Sequence, residues 1–292
     1  MQTDNVSDNM EELIRLALAE DFGSGDVTSQ YFVSEGLTAQ ALMRSRVHGV
    51  LSGVRVAESV FRAVDPSLKL EVYLHDGEEV SPGAVIMMIE GSARSILGAE
   101  RTALNFIQRL SGVASMTHRY VKAIAHTSCK LLDTRKTTPG YRLLEKAAVV
   151  HGGGNNHRLG LYDRAMVKDN HLMTGGDREH LQACIDRLRQ ERPGVEVELE
   201  ADTLEQVESF LQLRGVDYIL LDNMSPAEMR KAVAMRGAHA KPYFEASGGL
   251  SLETAPAAAE CGVDFMSFGC LTHSVPSMDI GLDFTTTPTQ PC

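Results

Sequence analysis

The chain has 292 residues, 43% of them apolar, enough for one large domain or two moderate ones around a sizeable core. Its net charge of −11 repels DNA, RNA and anionic membrane surfaces, and no basic run interleaved with aromatics offsets it. The five cysteines (Cys129, Cys184, Cys261, Cys270 and Cys292) form no CxxC or Cys/His cluster, and no leader or run of about 18 apolar residues occurs; these features argue against a zinc site and a membrane span, and for a cytoplasmic protein with reduced thiols.

Residues 10–20 carry apolar side chains at helical spacing, and the glycines of Asp21–Asp26 end that helix. A strand is expected over 39–50, a helix over 54–64 stopped by Asp65-Pro66, and strands over 68–74 and 85–89 with a turn at Asp76-Gly77. Residues 95–125 read as one long helix, or two joined near Ser111-Gly112, with a stripe of Ile96, Leu97, Leu104, Ile107 and Leu110. The tail, 277–284, has strand character and could return to this first module.

The second half has another rhythm. Short apolar runs each end in a polar residue: Lys136, Lys168, Glu198, Asp222, Glu245 and Ser267, spaced 32, 30, 24, 23 and 22 residues apart. That interval suits a strand, a helix and two short loops, repeated as in a parallel β/α barrel or a doubly wound sheet. In a barrel these strand ends share the active-site face. Polar groups collected there are hard to explain as core, because an unpaired buried charge is costly.

Residues 133–171 hold seven basic side chains (Arg135, Lys136, Arg142, Lys146, Arg158, Arg164, Lys168) against four acids, with three histidines besides. A local cationic site in an acidic chain points to an anionic small ligand, and arginine forks suit carboxylates and phosphates. Ordinary surface ion pairs are the alternative. Gly152-Gly-Gly-Asn-Asn-His157-Arg158 is either a close backbone approach to a ligand or a surface loop; it is not a P-loop. Ser247-Gly248-Gly249 and Gly269 to Ser274 follow the last two strands, where barrels bind phosphate with loop amides. Glu196, Glu198 and Glu200 alternate on one face, next to Asp222 on the following strand. Such carboxylates can hold Mg²⁺, bind sugar hydroxyls or stabilise a developing cation, or form a ring of salt bridges. A polyanionic acceptor among the bases, a sugar phosphate on the glycine loops and acids between them make a layout for glycosyl or phosphoribosyl transfer.

These blocks together resemble the quinolinate phosphoribosyltransferase family. The resemblance is carried by Glu20-Asp-Phe-Gly-Ser-Gly-Asp-Val-Thr28, Glu100-Arg-Thr-Ala-Leu-Asn-Phe-Ile-Gln-Arg-Leu-Ser-Gly112, Asp133-Thr-Arg-Lys-Thr-Thr-Pro-Gly140, Gly152 to Gly160, Lys168-Asp-Asn-His171, Leu221-Asp-Asn223, Ser247-Gly-Gly249 and Leu271-Thr-His-Ser274. It implies transfer of phosphoribosyl from phosphoribosyl pyrophosphate to quinolinate with loss of carbon dioxide, giving nicotinate mononucleotide and pyrophosphate, with Mg²⁺. It implies an α/β fold, an incomplete β/α barrel with an amino-terminal α+β sandwich. The expected domains are residues 1–115, joined by 275–292, and 116–274. It also implies a homodimer in which Arg101 enters the partner's site. Lys136, Glu198 and Asp222 are the expected catalytic residues, Glu198 and Asp222 also holding the metal. Arg135, Lys136, His157, Arg158 and Lys168 are expected around quinolinate and pyrophosphate, Ser247, Gly248, Gly249, Gly269 and His273 around the phosphate, and Ser267 among the substrate-binding residues. The chain is about two residues longer than the family pattern near Glu196–Thr203: counting from upstream selects Glu198, counting back from Asp222 selects Glu200, and Glu198 is taken.

Three other readings compete. They are the molybdenum-transport-associated proteins of the same superfamily, a Schiff-base lyase using Lys136 or Lys168, and a carrier domain built on residues 74–85. The last lacks a lysine at the hairpin tip.

Overall fold

The computed structural model describes residues 2–168 and 178–285. Asp169, Asn170, His171 and Cys292 lie outside the described residues. The chain divides into two compact units, one of residues 1–118, 137–153 and 271–292 and one of residues 119–136 and 154–270.

In the first unit, the opening helix is longer than its apolar stripe suggested, Gln2–Phe22 (α1). The glycine turn leads into a second helix, Val27–Phe32 (α2), started by Asp26, whose carboxylate accepts the Ser29 N–H at 3.0 Å. The β-branched and aromatic residues of α2 hide it from propensity, and the aspartate cap is its sequence signal. The strand expected over 39–50 is split into Thr38–Ser45 (β1) and Gly49–Val50 (β2). The Ser45 hydroxyl donates to Val47 O at 2.6 Å and turns the chain between them. Val54–Val64 (α3) buries Val54, Val56, Ala57, Val60 and Phe61 on one face. Lys69–Val72 (β3), Glu79–Val80 (β4) and Val85–Ser92 (β5) follow.

A four-stranded antiparallel sheet forms in the order tail strand (Ile280–Thr285), β1, β5, β3, and β4 pairs with β2. Alternation along β1 buries Ala41, Met43 and Ser45. The long helix is continuous, Ala93–Ile124 (α4). Gly112 does not break it. A Cβ there would lie 2.3 Å from Pro276 O, so glycine lets the tail backbone lie directly on the helix. Arg142–His151 (α5) completes this unit's helices. Its fully buried Glu145 accepts Arg109 Nη2 at 2.7 Å and the Thr138 N–H at 3.0 Å.

The second unit is a parallel sheet of Lys130–Leu132 (β6), Arg164–Val167 (β7), Glu196–Ala201 (β8), Tyr218–Asp222 (β9), Tyr243–Ser247 (β10) and Phe265–Ser267 (β11). Their spatial order is β6-β11-β10-β9-β8-β7. Helices Arg178–Glu191 (α6), Leu204–Leu211 (α7), Pro226–Arg236 (α8) and Ala255–Ala259 (α9) connect the strands. β8 and β9 are buried along almost their whole length, as parallel strands covered on both faces must be. Capping boxes at Thr203/Gln206 and Ser225/Glu228 start α7 and α8 immediately after the strand ends. A parallel bridge between Leu132 and Asn155 extends the free side of β6. No ladder among the described residues joins that side to β7, so the barrel is incomplete, as expected.

Candidate active site

Parallel strands put all their carboxyl ends on one side of the sheet, and there a cavity of about 550 Å³ opens. Ten of the residues singled out from sequence line it: Arg135, Lys136, His157, Arg158, Lys168, Asp222, Ser247, Gly248, Gly249 and Ser267. Thr134, Met166, Glu200, Leu220, Asn223 and Glu245 complete the lining. Asp222, Ser247 and Ser267 are the last residues of β9, β10 and β11, and Lys168 directly follows β7. Gly269 sits in the turn after β11 and does not line the cavity. Arg101, exposed on α4, and His273, exposed at the end of the short Cys270–His273 helix, belong to the other unit.

The cationic stretch separates into three groups. Arg135, Lys136, Arg158 and Lys168 meet at the cavity. Arg142, bonded to Thr137 Oγ1 at 3.0 Å, and the fully buried Lys146 belong to α5 in the first unit. Arg164 lies at the start of β7, where it forks onto Glu196 at 2.8 Å and stacks 4.0 Å over the Tyr218 ring.

Arg158 is fixed at its tip: Nη1 donates to Arg164 O at 3.1 Å and Nη2 to Met166 Sδ at 3.5 Å. Burial, then the neighbouring Arg135, pushes its pKa below the usual guanidinium value. Two guanidiniums held within each other's field form a site that an anion would stabilise.

Glu198, expected at the mouth, is buried and does not line the cavity, whereas Glu200 does. The three β8 glutamates share a face, but two residues advance a strand by about 6.6 Å. Glu200 therefore reaches the cavity, where it pairs with Lys168. Glu198 sits one layer down with no exposed surface, and Glu196 lies at the far end with Arg164 and the Tyr218 hydroxyl. The strand runs unbroken to Ala201 and the α7 cap follows at Thr203, and the count made back from the helix side picks the glutamate that lines the cavity. The Thr203-x-x-Gln206 capping signature was the sequence signal for it.

Glu198 instead joins a buried layer beneath the cavity. His157 Nε2 lies 3.2 Å from Glu198 Oε2 and 3.4 Å from Glu245 Oε2, and the Arg164 Nη1 lies 3.5 Å from the same Glu198 oxygen. Asp133, itself fully buried, accepts the His157 N–H at 2.8 Å, and His157 Nδ1 accepts the Arg158 N–H at 2.7 Å. Burial lowers the His157 pKa, but Glu245 and Glu198 outweigh it and lift it to about 9. The Arg158 N–H needs a lone pair on Nδ1 and works against that second ring proton. We therefore read the ring as the Nε2–H tautomer, assigned from its partners. Burial, then the neighbouring Glu245, raises the pKa of Glu198. Burial acts on Glu245 in the same direction, but His157 outweighs it and holds this carboxyl low.

The Ser247-Gly248-Gly249 turn wraps the Asn223 side chain. Asn223 adopts a left-handed φ of 54° and donates its N–H to Ser247 O at 2.9 Å. Ser267 Oγ donates to Ser247 Oγ at 3.1 Å, joining the ends of β10 and β11.

Comparison with known proteins gives the geometry its family. The model of the quinolinate phosphoribosyl transferase N-terminal domain matches residues 26–111, and that of the C-terminal domain matches residues 113–283. The chain belongs to the quinolinate phosphoribosyltransferase family. It is 40% identical over 276 residues to the probable nicotinate-nucleotide pyrophosphorylase [carboxylating] of Bacillus subtilis (strain 168), covering 94% of this chain and 93% of that protein. It is 38% identical over 294 residues to the chloroplastic nicotinate-nucleotide pyrophosphorylase [carboxylating] of Oryza sativa subsp. japonica, covering 95% and 78%. The solved nicotinate-nucleotide pyrophosphorylase of Francisella tularensis superposes with a TM-score of 0.88 at 36% identity, covering 95% of this chain and 96% of that one. Family membership sets aside the lyase and carrier readings.

Two places offer metal ligands. Glu200 and Asp222 present hard oxygen donors to the cavity from adjacent strands, which suits Mg²⁺ held partly by substrate oxygens. His157, Glu198 and Glu245 also have ligand spacing. They do not fit a metal, because Nε2 carries the ring hydrogen and the Arg164 guanidinium already faces Glu198.

Proposed function

We infer that the chain catalyses phosphoribosyl transfer from phosphoribosyl pyrophosphate to quinolinate with decarboxylation, yielding nicotinate mononucleotide, pyrophosphate and carbon dioxide on the route to NAD. The observation that carries this reading is one cavity with Arg135, Lys136, Arg158 and Lys168 on one side and Glu200 and Asp222 on the other, in a member of this family. The arginines and lysines grip quinolinate's carboxylates and aim its ring nitrogen at the sugar carbon.

As the bond from that carbon to pyrophosphate breaks, the leaving oxygen keeps the electron pair. The carbon gains positive charge, which Glu200 and Asp222 stabilise. The ring nitrogen lone pair forms the new bond, making the ring cationic. The adjacent carboxylate then leaves as carbon dioxide, its bonding electrons pass to the ring, and the ring carbon takes up a proton.

Mg²⁺, held by Glu200 and Asp222, would neutralise pyrophosphate. The Ser247-Gly248-Gly249 turn and Ser267 take the sugar phosphate through backbone N–H groups and hydroxyls. Two copies pair so that the exposed Arg101 of each enters the other's cavity. The protein works in the cytoplasm, in keeping with four free cysteines among the described residues.

Purified protein given quinolinate, phosphoribosyl pyrophosphate and Mg²⁺ is expected to form nicotinate mononucleotide and carbon dioxide in equal amounts. Carbon dioxide release without phosphoribosyl pyrophosphate, or no nucleotide at all, refutes the assignment.

A further inference from the structure

The buried layer under the cavity contains two carboxylates that the reaction above does not use. Glu245 and Glu198 have no exposed surface; Glu245 borders the cavity and Glu198 lies behind it. All four of their carboxylate oxygens lack a well-formed hydrogen bond. Buried carboxylates left in that condition are costly, and such groups concentrate at functional sites. A metal does not account for them, since the His157 ring hydrogen occupies the position a cation would need.

Their neighbours indicate what they act on. Both face the same ring atom, His157 Nε2. The other ring nitrogen receives the Arg158 backbone N–H, and the His157 backbone is tied to Asp133. Arg158 is thus held at two ends, its main chain by the His157 ring and its guanidinium by β7. The guanidinium needs that hold, because Arg135 repels it until an anion lies between them.

We propose that Glu245, together with Glu198, is a positioning residue for the anionic aromatic acceptor: it fixes the His157 ring, and the ring fixes Arg158 where its guanidinium meets the acceptor's carboxylate. This rests on the assignment of the cationic wall to quinolinate. A carboxylate is required rather than any polar group of the same shape. A carboxamide keeps the shape but lacks the negative charge that the Nε2 hydrogen faces and, at Glu198, the Arg164 guanidinium also faces, and it holds the ring less firmly. Glu198 isolates the acceptor side, because Glu245 also interacts with Ser267, whose hydroxyl bonds that of Ser247.

The test is Glu198→Gln in the full chain, with steady-state kinetics for each substrate and Tm measured alongside. The KM for quinolinate is expected to rise about tenfold, the usual scale for losing a group that orients a ligand-binding residue. The KM for phosphoribosyl pyrophosphate should stay within about twofold and kcat within about threefold, as for loss of binding that does not change the chemical step. Glu245→Gln should raise the KM for quinolinate likewise, with a rise for phosphoribosyl pyrophosphate added through Ser267. Equal rises in both KM values in Glu198→Gln, or unchanged kinetics in both variants at any Tm, overturn the proposal and leave the cluster a structural one. So does failure of both variants to accumulate as folded protein. Absence of turnover in the unmodified protein would instead sink the proposed function, and the two failures are therefore told apart.

Discussion

Gly248 lies so close to Asn223 that a Cβ at position 248 would fall 2.3 Å from Asn223 Oδ1 and 2.9 Å from its backbone nitrogen. Its φ of +83° is also one that side chains rarely adopt. The turn that closes β10 is therefore built around the Asn223 side chain. Gly248→Ala is expected to cost about 1–2 kcal/mol from the left-handed backbone alone, with the clash in addition. The KM for phosphoribosyl pyrophosphate should rise while that for quinolinate changes little. Gly249→Ala meets nothing nearer than 3.7 Å, at a φ of +61°, and should be the milder variant. Denaturant unfolding and kinetics on both variants check this; a Gly249 variant worse than the Gly248 one would contradict it.

The two carboxylates at the mouth should behave differently from those below it. Glu200→Gln and Asp222→Asn each remove negative charge from beside the reacting sugar carbon. Each should lower kcat by about 10²–10³, the scale of losing one preorganised electrostatic contact. Tm should change little, because both side chains open onto the cavity. Rates at saturating substrates and Mg²⁺ would show it. Near-normal kcat in Glu200→Gln would return the role to another residue.

The barrel rhythm and most of the cavity were legible because each strand ends in a polar residue, and a parallel sheet must bring those ends to one side. What sequence left open follows from depth and distance. Alternation places Glu198 and Glu200 on one face but carries no information on which reaches the mouth. Glu245 read as one more strand-end residue because its meaning depends on His157, 88 positions earlier in the chain. Arg142 and Lys146 looked like members of the cationic group because they neighbour Arg135 in sequence; α5 carries them into the other unit. The split of the 39–50 strand rests on a single serine hydroxyl, which no periodicity records.

The acceptor wall makes a charge prediction. Arg135→Ala or Lys168→Ala removes one cation from a site meant for a dianion. The KM for quinolinate should rise about 10- to 100-fold, equivalent to losing a charge-assisted hydrogen bond of about 1.5–3 kcal/mol. Raising the ionic strength should weaken quinolinate binding less in these variants than in the unmodified protein. Calorimetric titration of quinolinate at two salt concentrations measures both. Unchanged affinity in both variants would remove them from the acceptor wall.

Acid stability should depend on Asp217, which stands just before β9 and is tied to three neighbours. Its Oδ2 accepts the Val197 N–H at 2.9 Å and an Arg189 N–H, and its Oδ1 accepts Lys241 Nζ at 3.1 Å. Burial works against the carboxylate, but these donors outweigh it and hold its pKa below the usual 3.8. A carboxyl with a depressed folded-state pKa contributes stability that is fully present above its unfolded value. That contribution is lost as the pH falls through the folded value. Asp217→Asn should therefore be less stable than the unmodified protein at pH 7, by roughly 1 kcal/mol once solvent screening is allowed for. The gap should stay constant down to about pH 4 and close below it, where the unmodified carboxyl also takes up a proton. Urea unfolding of both proteins from pH 7 to pH 3 gives the curve; a gap that widens on acidification would show that the carboxylate is not held by its donors.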